Sequence, residues 1–357
     1  MANKNTTFHI AKLEKKDEFY TQLVDIEKEL VHYKNFFNGK VVLCNCDDPI
    51  ESNFTKYFIL NFHYLGLKKL ISTFYDINGR TAYAFEYEGD DMNNDGVVNE
   101  EDISIIRQSG VYRTILVDDE GFDFEKKDEC WKNKIYGSGD FRSKNVIDYL
   151  KESDVVVTNP PFSLFREYVG QLMEYEKKFI IIGNMNAITY KEIFPYVKEN
   201  KLWWGVSIHS GDRKFFVPDD YPLNASTCGV DENGKKFVNV KGVRWWTNVE
   251  NKIRTEELPI YKTFRGNEDR YPKYDNYDAI EVSFTKDIPC DYDGVMGVPI
   301  TFIDKYCPSQ FEIVDARTIA LNDRQRKKNT YLIKDADSAI NGKPTYARVC
   351  IRKRTNG

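Results

Sequence analysis

One stretch limits the folds open to this chain: residues 154–163, Asp-Val-Val-Val-Thr-Asn-Pro-Pro-Phe-Ser. Three valines and a threonine in succession, without polar alternation, read as a strand buried on both faces. Two consecutive prolines cannot donate to a sheet ladder, so the strand stops there. Apolar residues then recur at helical spacing over 164–175, and Ser163 is placed to cap that helix. A buried parallel strand feeding a helix is a unit of an open α/β sheet. Such sheets hold ligands beyond the carboxyl ends of their strands, which is where Asn159, Pro160, Pro161 and Phe162 fall.

The four residues suit methylation of an exocyclic amino group. Such a nitrogen is a poor nucleophile, because its lone pair is delocalised into the ring. The side-chain carbonyl of Asn159 and the main-chain carbonyl of Pro160 can accept its hydrogens and draw electron density onto it. Pro161 stiffens the turn, and the Phe162 ring can stack on a planar base. A strand and turn with an Asn cap and a core Phe would use the same residues. The segments upstream favour the chemical alternative.

Gly39 precedes an apolar run at 41–44, which exits through Asn-Cys-Asp-Asp-Pro; Ser52 then opens a helix containing Phe54 and Phe58. Strand, acidic turn and helix form the opening unit of a nucleotide-type fold. The usual Gly-x-Gly is missing, which argues against NAD or ATP. Asp47 and Asp48 suit a cofactor with a cationic amino-acid tail and no phosphate, and S-adenosylmethionine fits that description. Asp76, near the end of a strand over 67–76, is placed to take ribose hydroxyls. Phe19, Tyr20 and Thr21, leading into an amphipathic helix over 15–33, would line the pocket from the amino-terminal side. The Gly-rich approach at 136–143 presents Asp140 to the cofactor adenine's amino group and Phe141 to its ring. Each segment also admits an ordinary structural role: an amphipathic helix, a surface turn, a glycine turn.

Further strands are expected at 177–184, 203–207, 214–217 and 242–249, an exposed hairpin arm at 80–88 and a loop at 218–236. Net charge is −5, but its distribution is uneven. Residues 86–129 hold fifteen acidic and four basic side chains, whereas 316–357 hold eleven Lys or Arg against three Asp. A polyanion is repelled by the first and drawn to the second. Arg324, Arg326, Lys327 and Lys328 suit a phosphate clamp on DNA, with Arg348 and residues 352–354 adding to the basic pole; a solvated tail is the alternative. Within the acidic insertion, residues 91–102 have the spacing of a twelve-residue calcium loop. Asp91, Asn93, Asp95, Val97, Asn99 and Asp102 occupy the ligand positions, and Gly96 stands at the sharp turn. An insertion loop with turn chemistry is the alternative to a structural calcium. Seven cysteines without a Cys-x-x-Cys pair suggest reduced thiols in the cytoplasm. The polar first residues and the absence of long apolar runs predict neither a signal peptide nor a membrane span.

Asn159-Pro160-Pro161-Phe162, taken with Asp-Glu-Phe-Tyr-Thr-Gln at 17–22, Cys-Asp-Asp-Pro at 46–49, Ser-Asn-Phe at 52–54 and Gly-Asp-Phe-Arg-Ser at 139–143, resembles the EcoRI-type adenine-specific DNA methylase family. The resemblance runs from about residue 16 through Trp-Trp-Thr-Asn at 245–248, and more loosely to the end. It implies a Rossmann-like, seven-stranded methyltransferase sheet with an inserted acidic lobe and a carboxyl-terminal DNA-recognition region. It implies S-adenosylmethionine as donor and double-stranded DNA as partner, with the target adenine flipped out of the duplex. A cognate restriction endonuclease acting on the same site would be a second partner, in a bacterial or phage setting. The expected division is a catalytic domain over 1–253, with the insertion at about 86–129, and a target-recognition region over 254–357. Two features depart from the family: the cofactor turn lacks its glycine pair, and a calcium-like loop is not expected. The same machinery acting on RNA or a protein glutamine amide is the nearest alternative; a non-catalytic nucleic-acid-binding protein is another. The basic carboxyl-terminal segment favours DNA.

Overall fold

A computed structural model of the protein describes residues 20–46, 51–76, 81–109, 113–115, 140–217, 221, 223, 226–275, 277–317, 339–344 and 347–354. The chain divides into two compact units, residues 1–183 with 210–245, and residues 184–209 with 246–357. In chain order the first eleven strands are β1 (Val41–Asn45), β2 (Lys69–Asp76), β3 (Thr81–Tyr87), β4 (Arg113–Ile115), β5 (Val155–Thr158), β6 (Lys178–Asn184), β7 (Trp203–Trp204), β8 (Asp212–Phe216), β9 (Cys228–Val230), β10 (Lys236–Lys241) and β11 (Val243–Thr247).

The first unit is built on a mixed sheet with strand order β4-β3-β2-β1-β5-β6-β11. Strands β2, β1, β5 and β6 are parallel neighbours, in registers such as Asn45↔Thr73 and Leu43↔Val156. Every residue of β1 and of β5 is buried, as an unbroken apolar run requires of a strand covered on both faces. From β1 the chain steps to β2 and β3 on one side, then crosses to β5 and β6 on the other. The strand order therefore reverses between β1 and β5, and the crevice at such a switch point opens at the carboxyl ends. Strand β3 pairs antiparallel with β2, and β4 with β3. The expected exposed arm is instead partly core: Ala84, Phe85 and Tyr87 are buried, and Tyr87 packs edge-on against Phe62.

The helices of this unit are α1 (Leu23–Leu30), α2 (Asn53–Leu60), α3 (Phe62–Leu65), α4 (Glu100–Ser109), α5 (Lys144–Glu152) and α6 (Phe165–Glu174). Helix α6 buries Phe165, Tyr168, Val169 and Leu172, an i, i+3, i+4, i+7 stripe that fits one helical face. It lies close to β6 because Gly183 has no side chain: a Cβ there would meet the Phe165 ring at 2.3 Å. Ser163 is not the N-cap position of this helix. It lies inside a 3-10 turn, Phe162–Leu164, and Leu164 is the helix N-cap. Ser52 does cap α2, accepting from the Phe54 N–H at 3.0 Å. The loop expected at 218–236 contains β9 and leads into β10; with β8 these form a separate antiparallel sheet in the order β8-β10-β9.

In the second unit β7 pairs with the end of β11, Trp204 opposite Trp246. The next strands, β12 (Lys273–Tyr274), β13 (Tyr277–Glu281), β14 (Met296–Pro299), β15 (Phe311–Arg317), β16 (Ala339–Ile340), β17 (Lys343–Pro344) and β18 (Arg348–Lys353), include a five-stranded sheet in the order β12-β13-β14-β18-β15. At its centre the Glu281 carboxylate is buried and accepts from Arg348 Nε at 2.9 Å and Nη2 at 2.6 Å. The Tyr274 hydroxyl also donates to it. Arg348 is therefore a partner of the core and not a phosphate ligand. Among the described residues, no helix is long and apolar enough to cross a membrane.

Candidate active site

The carboxyl ends of β1 and β5 meet through Asn45. Thr158 Oγ1 donates to the Asn45 carbonyl at 2.6 Å, and the Tyr168 hydroxyl, from α6, donates to Asn45 Oδ1. On the other flank, Cys46 N–H donates to the Thr73 carbonyl at 3.1 Å. Cys46 itself sits at φ 86°, a left-handed conformation that costs a side-chain-bearing residue roughly 1–2 kcal/mol. The sharp exit usually made by glycine is made here without one. Asn159 follows Thr158 directly and is 8 % exposed. Pro160 is buried, whereas Pro161 and Phe162 are half-buried. The Leu164 N–H donates to the Pro161 carbonyl at 2.9 Å, closing the turn into α6. The Phe162 ring meets Phe215 of β8 edge-on, with centroids 6.3 Å apart and planes at 84°.

Tyr20 and Thr21 are held by β8 and by α2. Tyr20 exchanges main-chain hydrogen bonds with Phe216 of β8, at 2.9 and 3.2 Å. The carbonyl of the buried Thr21 accepts from Asn53 Nδ2 at 2.7 Å. Asn53 opens α2, the helix that follows β1, so Tyr20 and Thr21 lie between β8 and the start of that helix.

Asp140 and Phe141 approach through α6. The Asp140 carboxylate is gripped by Arg142, from Nε at 2.7 Å and Nη2 at 2.5 Å, while Arg142 Nη1 donates to Glu167 at 2.8 Å. Burial alone would lower the Arg142 pKa, but the hydrogen bonds and charges of Asp140 and Glu167 outweigh it and raise the value. Phe141 is buried with its ring edge-on to Tyr168, 5.0 Å between centroids, and its carbonyl accepts from Gln171. Asp140 and Phe141 are thus locked to the same helix that carries Tyr168.

The residues at this edge fit S-adenosylmethionine. Asn45 Nδ2, Thr73 Oγ1 and Thr21 Oγ1 are buried polar atoms with no hydrogen-bond partner among the described residues. Burying such groups unpaired is costly, and a ligand rich in carboxylate and hydroxyl groups would satisfy them. Asp76 closes β2 opposite Thr81, and its side chain lies outside the described residues. So do Phe19, Asp47, Asp48, Arg324, Arg326, Lys327 and Lys328. Asn45, Tyr168 and Arg142 were not expected from sequence. A polar residue ending the apolar run at 41–45 was the available signal for the first.

The calcium expected at residues 91–102 finds no support. Among the described residues no group of three or more His, Cys, Asp or Glu could hold a metal ion. The loop instead closes on itself. Asp91 accepts from the Asn94 and Gly96 N–H groups at 2.8 and 2.6 Å, Asn93 from that of Asp95 at 3.0 Å, and Asp95 from that of Val97 at 2.8 Å. The Val97 carbonyl accepts from Asn99 Nδ2. Asn99 and the fully buried Asp102 form a reciprocal cap on α4. Asn99 Oδ1 accepts from the Glu101 N–H at 2.7 Å, and Asp102 accepts from the Asn99 N–H at 2.7 Å.

The family described as adenine-specific methyltransferase EcoRI matches residues 7–354. The chain is 45% identical over 359 residues to the type II methyltransferase M.EcoRI of Escherichia coli, covering 98% of this chain and 97% of that protein. It is 37% identical to M.MpnI of Mycoplasma pneumoniae, covering 98% of each chain. It is 36% identical to M.MgeORF184P of Mycoplasma genitalium, over 97% of this chain and 98% of the relative. No solved structure matches the chain. A buried strand that ends in Asn-Pro-Pro-Phe at a switch point, and relatedness along nearly the whole length, place this chain in the EcoRI family of adenine-specific DNA methyltransferases.

Proposed function

We propose that this DNA adenine methyltransferase receives a flipped-out adenine at Asn159–Phe162 and methylates its exocyclic amino group from S-adenosylmethionine held at the carboxyl ends of β1 and β5, on a Rossmann-like sheet. The observation that carries this is the placement of Asn159 directly after Thr158, which is bonded to Asn45 where the strand order reverses. The Asn159 side-chain carbonyl and the Pro160 carbonyl would accept the two amino hydrogens and turn the nitrogen lone pair outward. Pro161 fixes the direction in which the chain leaves the strand. Phe162, steadied on its edge by Phe215, would present its ring to the base; base–aromatic stacking contributes about 1–3 kcal/mol. S-adenosylmethionine supplies an electrophilic methyl group on a sulfonium centre. Tyr20 and Thr21 would flank it from the amino-terminal side, Asp47, Asp48 and Asp76 would meet its polar groups, and Phe141 would face its adenine.

In this proposal residues 1–253 carry catalysis and residues 254–357 read the target, with Arg324, Arg326, Lys327 and Lys328 on phosphates. The type II names of the relatives support a cognate restriction endonuclease as companion. Base flipping is tested once the methylated site has been mapped on plasmid DNA. With 2-aminopurine in place of the target adenine, the enzyme should raise its fluorescence several-fold. Unchanged fluorescence, with methylation of normal DNA intact, would contradict extrusion of the base.

A further inference from the structure

Asn45 belongs to no cofactor position expected from sequence, yet it is held from two sides at the switch point. It is completely buried at the end of β1. Its carbonyl accepts from Thr158, the residue before Asn159. Its Oδ1 accepts from the hydroxyl of Tyr168, a residue 123 positions away on the helix that follows the Asn159 turn. Its Nδ2 is buried with no hydrogen-bond partner among the described residues. A side-chain amide has two ends, and the partner at one end decides which group the other presents. With the Tyr168 hydroxyl donating to the oxygen, the amide must present its N–H group at the other end.

We infer that Asn45 is a cofactor-binding residue, donating through Nδ2 to an acceptor group of S-adenosylmethionine, and that Tyr168 is a positioning residue that sets the orientation of the Asn45 amide. This rests on the proposed seat of the cofactor at the carboxyl ends of β1 and β5. Tyr168 reaches the cofactor only through Asn45. The same amide residue is bonded to the chain one position before Asn159, so cofactor binding and placement of the amine acceptor share one support.

The test is calorimetric titration of S-adenosylmethionine into the wild type, Tyr168→Phe, Asn45→Ala and the double variant. DNA affinity in the absence of cofactor serves as a check on the fold. Tyr168→Phe keeps the buried ring and removes only the donor. It should weaken cofactor binding about fivefold, the worth of one net hydrogen bond, and leave DNA affinity unchanged. Asn45→Ala should weaken it about tenfold or more. The double variant should bind no worse than Asn45→Ala alone, because residues acting through one another are non-additive. Wild-type affinity in Tyr168→Phe would overturn the inference, as would a double-variant loss equal to the product of the single losses. If Asn45→Ala does not fold, the Tyr168→Phe titration decides alone. A wild type that binds no S-adenosylmethionine would overturn the proposed cofactor seat itself, and this inference with it.

Discussion

At the scale of single residues, the proposed site uses the Asn159 side-chain carbonyl and the Pro160 main-chain carbonyl, the second of which a helix or a ladder would have consumed. The double proline frees the chain from both helix and ladder, and Asn159 is left buried at the strand end. Asn159→Ala should lower turnover by about 10²–10³-fold, the usual cost of deleting one polar contact made at the transition state. Cofactor binding should be largely kept. Single-turnover transfer of labelled methyl groups measures this, and near-normal turnover would contradict the role of Asn159. For Phe162, the Ala variant should lose roughly 1–3 kcal/mol of hold on the base, and Trp should retain more activity than Ala. Equal steady-state activity of the two variants would make Phe162 a packing partner of Phe215 only. The buried strand that ends at the proposed Asn159 tetrad was legible in sequence because prolines and an apolar run carry local meaning. Asn45 and Tyr168 were not, since their link joins positions 123 apart. Nor was Arg142, whose second carboxylate comes from Glu167 on α6.

At the scale of elements, apolar runs predicted β1, β5 and β6 well, because fully buried strands need no alternation. Ends were less legible. Ser163 has a capping side chain, but the turn set by Pro161 continues as a 3-10 segment and moves the helix start to Phe165. At residues 91–102 the spacing of oxygens suggested a cation, whereas the same oxygens accept main-chain N–H groups within the loop. Asp102 makes this testable by pH. The hydrogen bond from the Asn99 N–H, joined by that from Met92, holds its pKa below the ordinary value despite burial. A carboxylate favoured in the folded state contributes stability above its unfolded pKa of about 3.9, lost as pH falls through the lower folded value. The urea midpoint of Asp102→Asn should therefore lie below that of the wild type at neutral pH, and the gap should narrow on acidification toward pH ~3. A gap independent of pH would show that the Asp102 charge contributes nothing to holding α4.

At the scale of the whole molecule, the basic residues of the carboxyl-terminal part divide between those proposed to meet DNA and Arg348, which is paired within the fold. Neutralising Arg324, Arg326, Lys327 and Lys328 should weaken binding to all DNA sequences, and each lost phosphate contact should flatten the log–log salt slope by roughly one. An unchanged slope, read from binding isotherms at several salt concentrations, would put these side chains in solvent. Arg348 should behave otherwise. Its removal leaves the buried Glu281 without its cationic partner, at a cost of about 3–5 kcal/mol of stability. The basic pole was legible as composition, but only partners 67 residues away reveal that Arg348 is spent on the core. Methyl transfer to adenine in duplex DNA can be read in a single labelling experiment. Tritiated S-adenosylmethionine is offered with duplex DNA, single-stranded RNA and protein in parallel, and the labelled product is digested and identified. Label should appear in duplex DNA alone, recovered as N6-methyladenine and lost in Asn159→Ala; label in RNA or protein, or on another base, would rule out adenine methylation of duplex DNA.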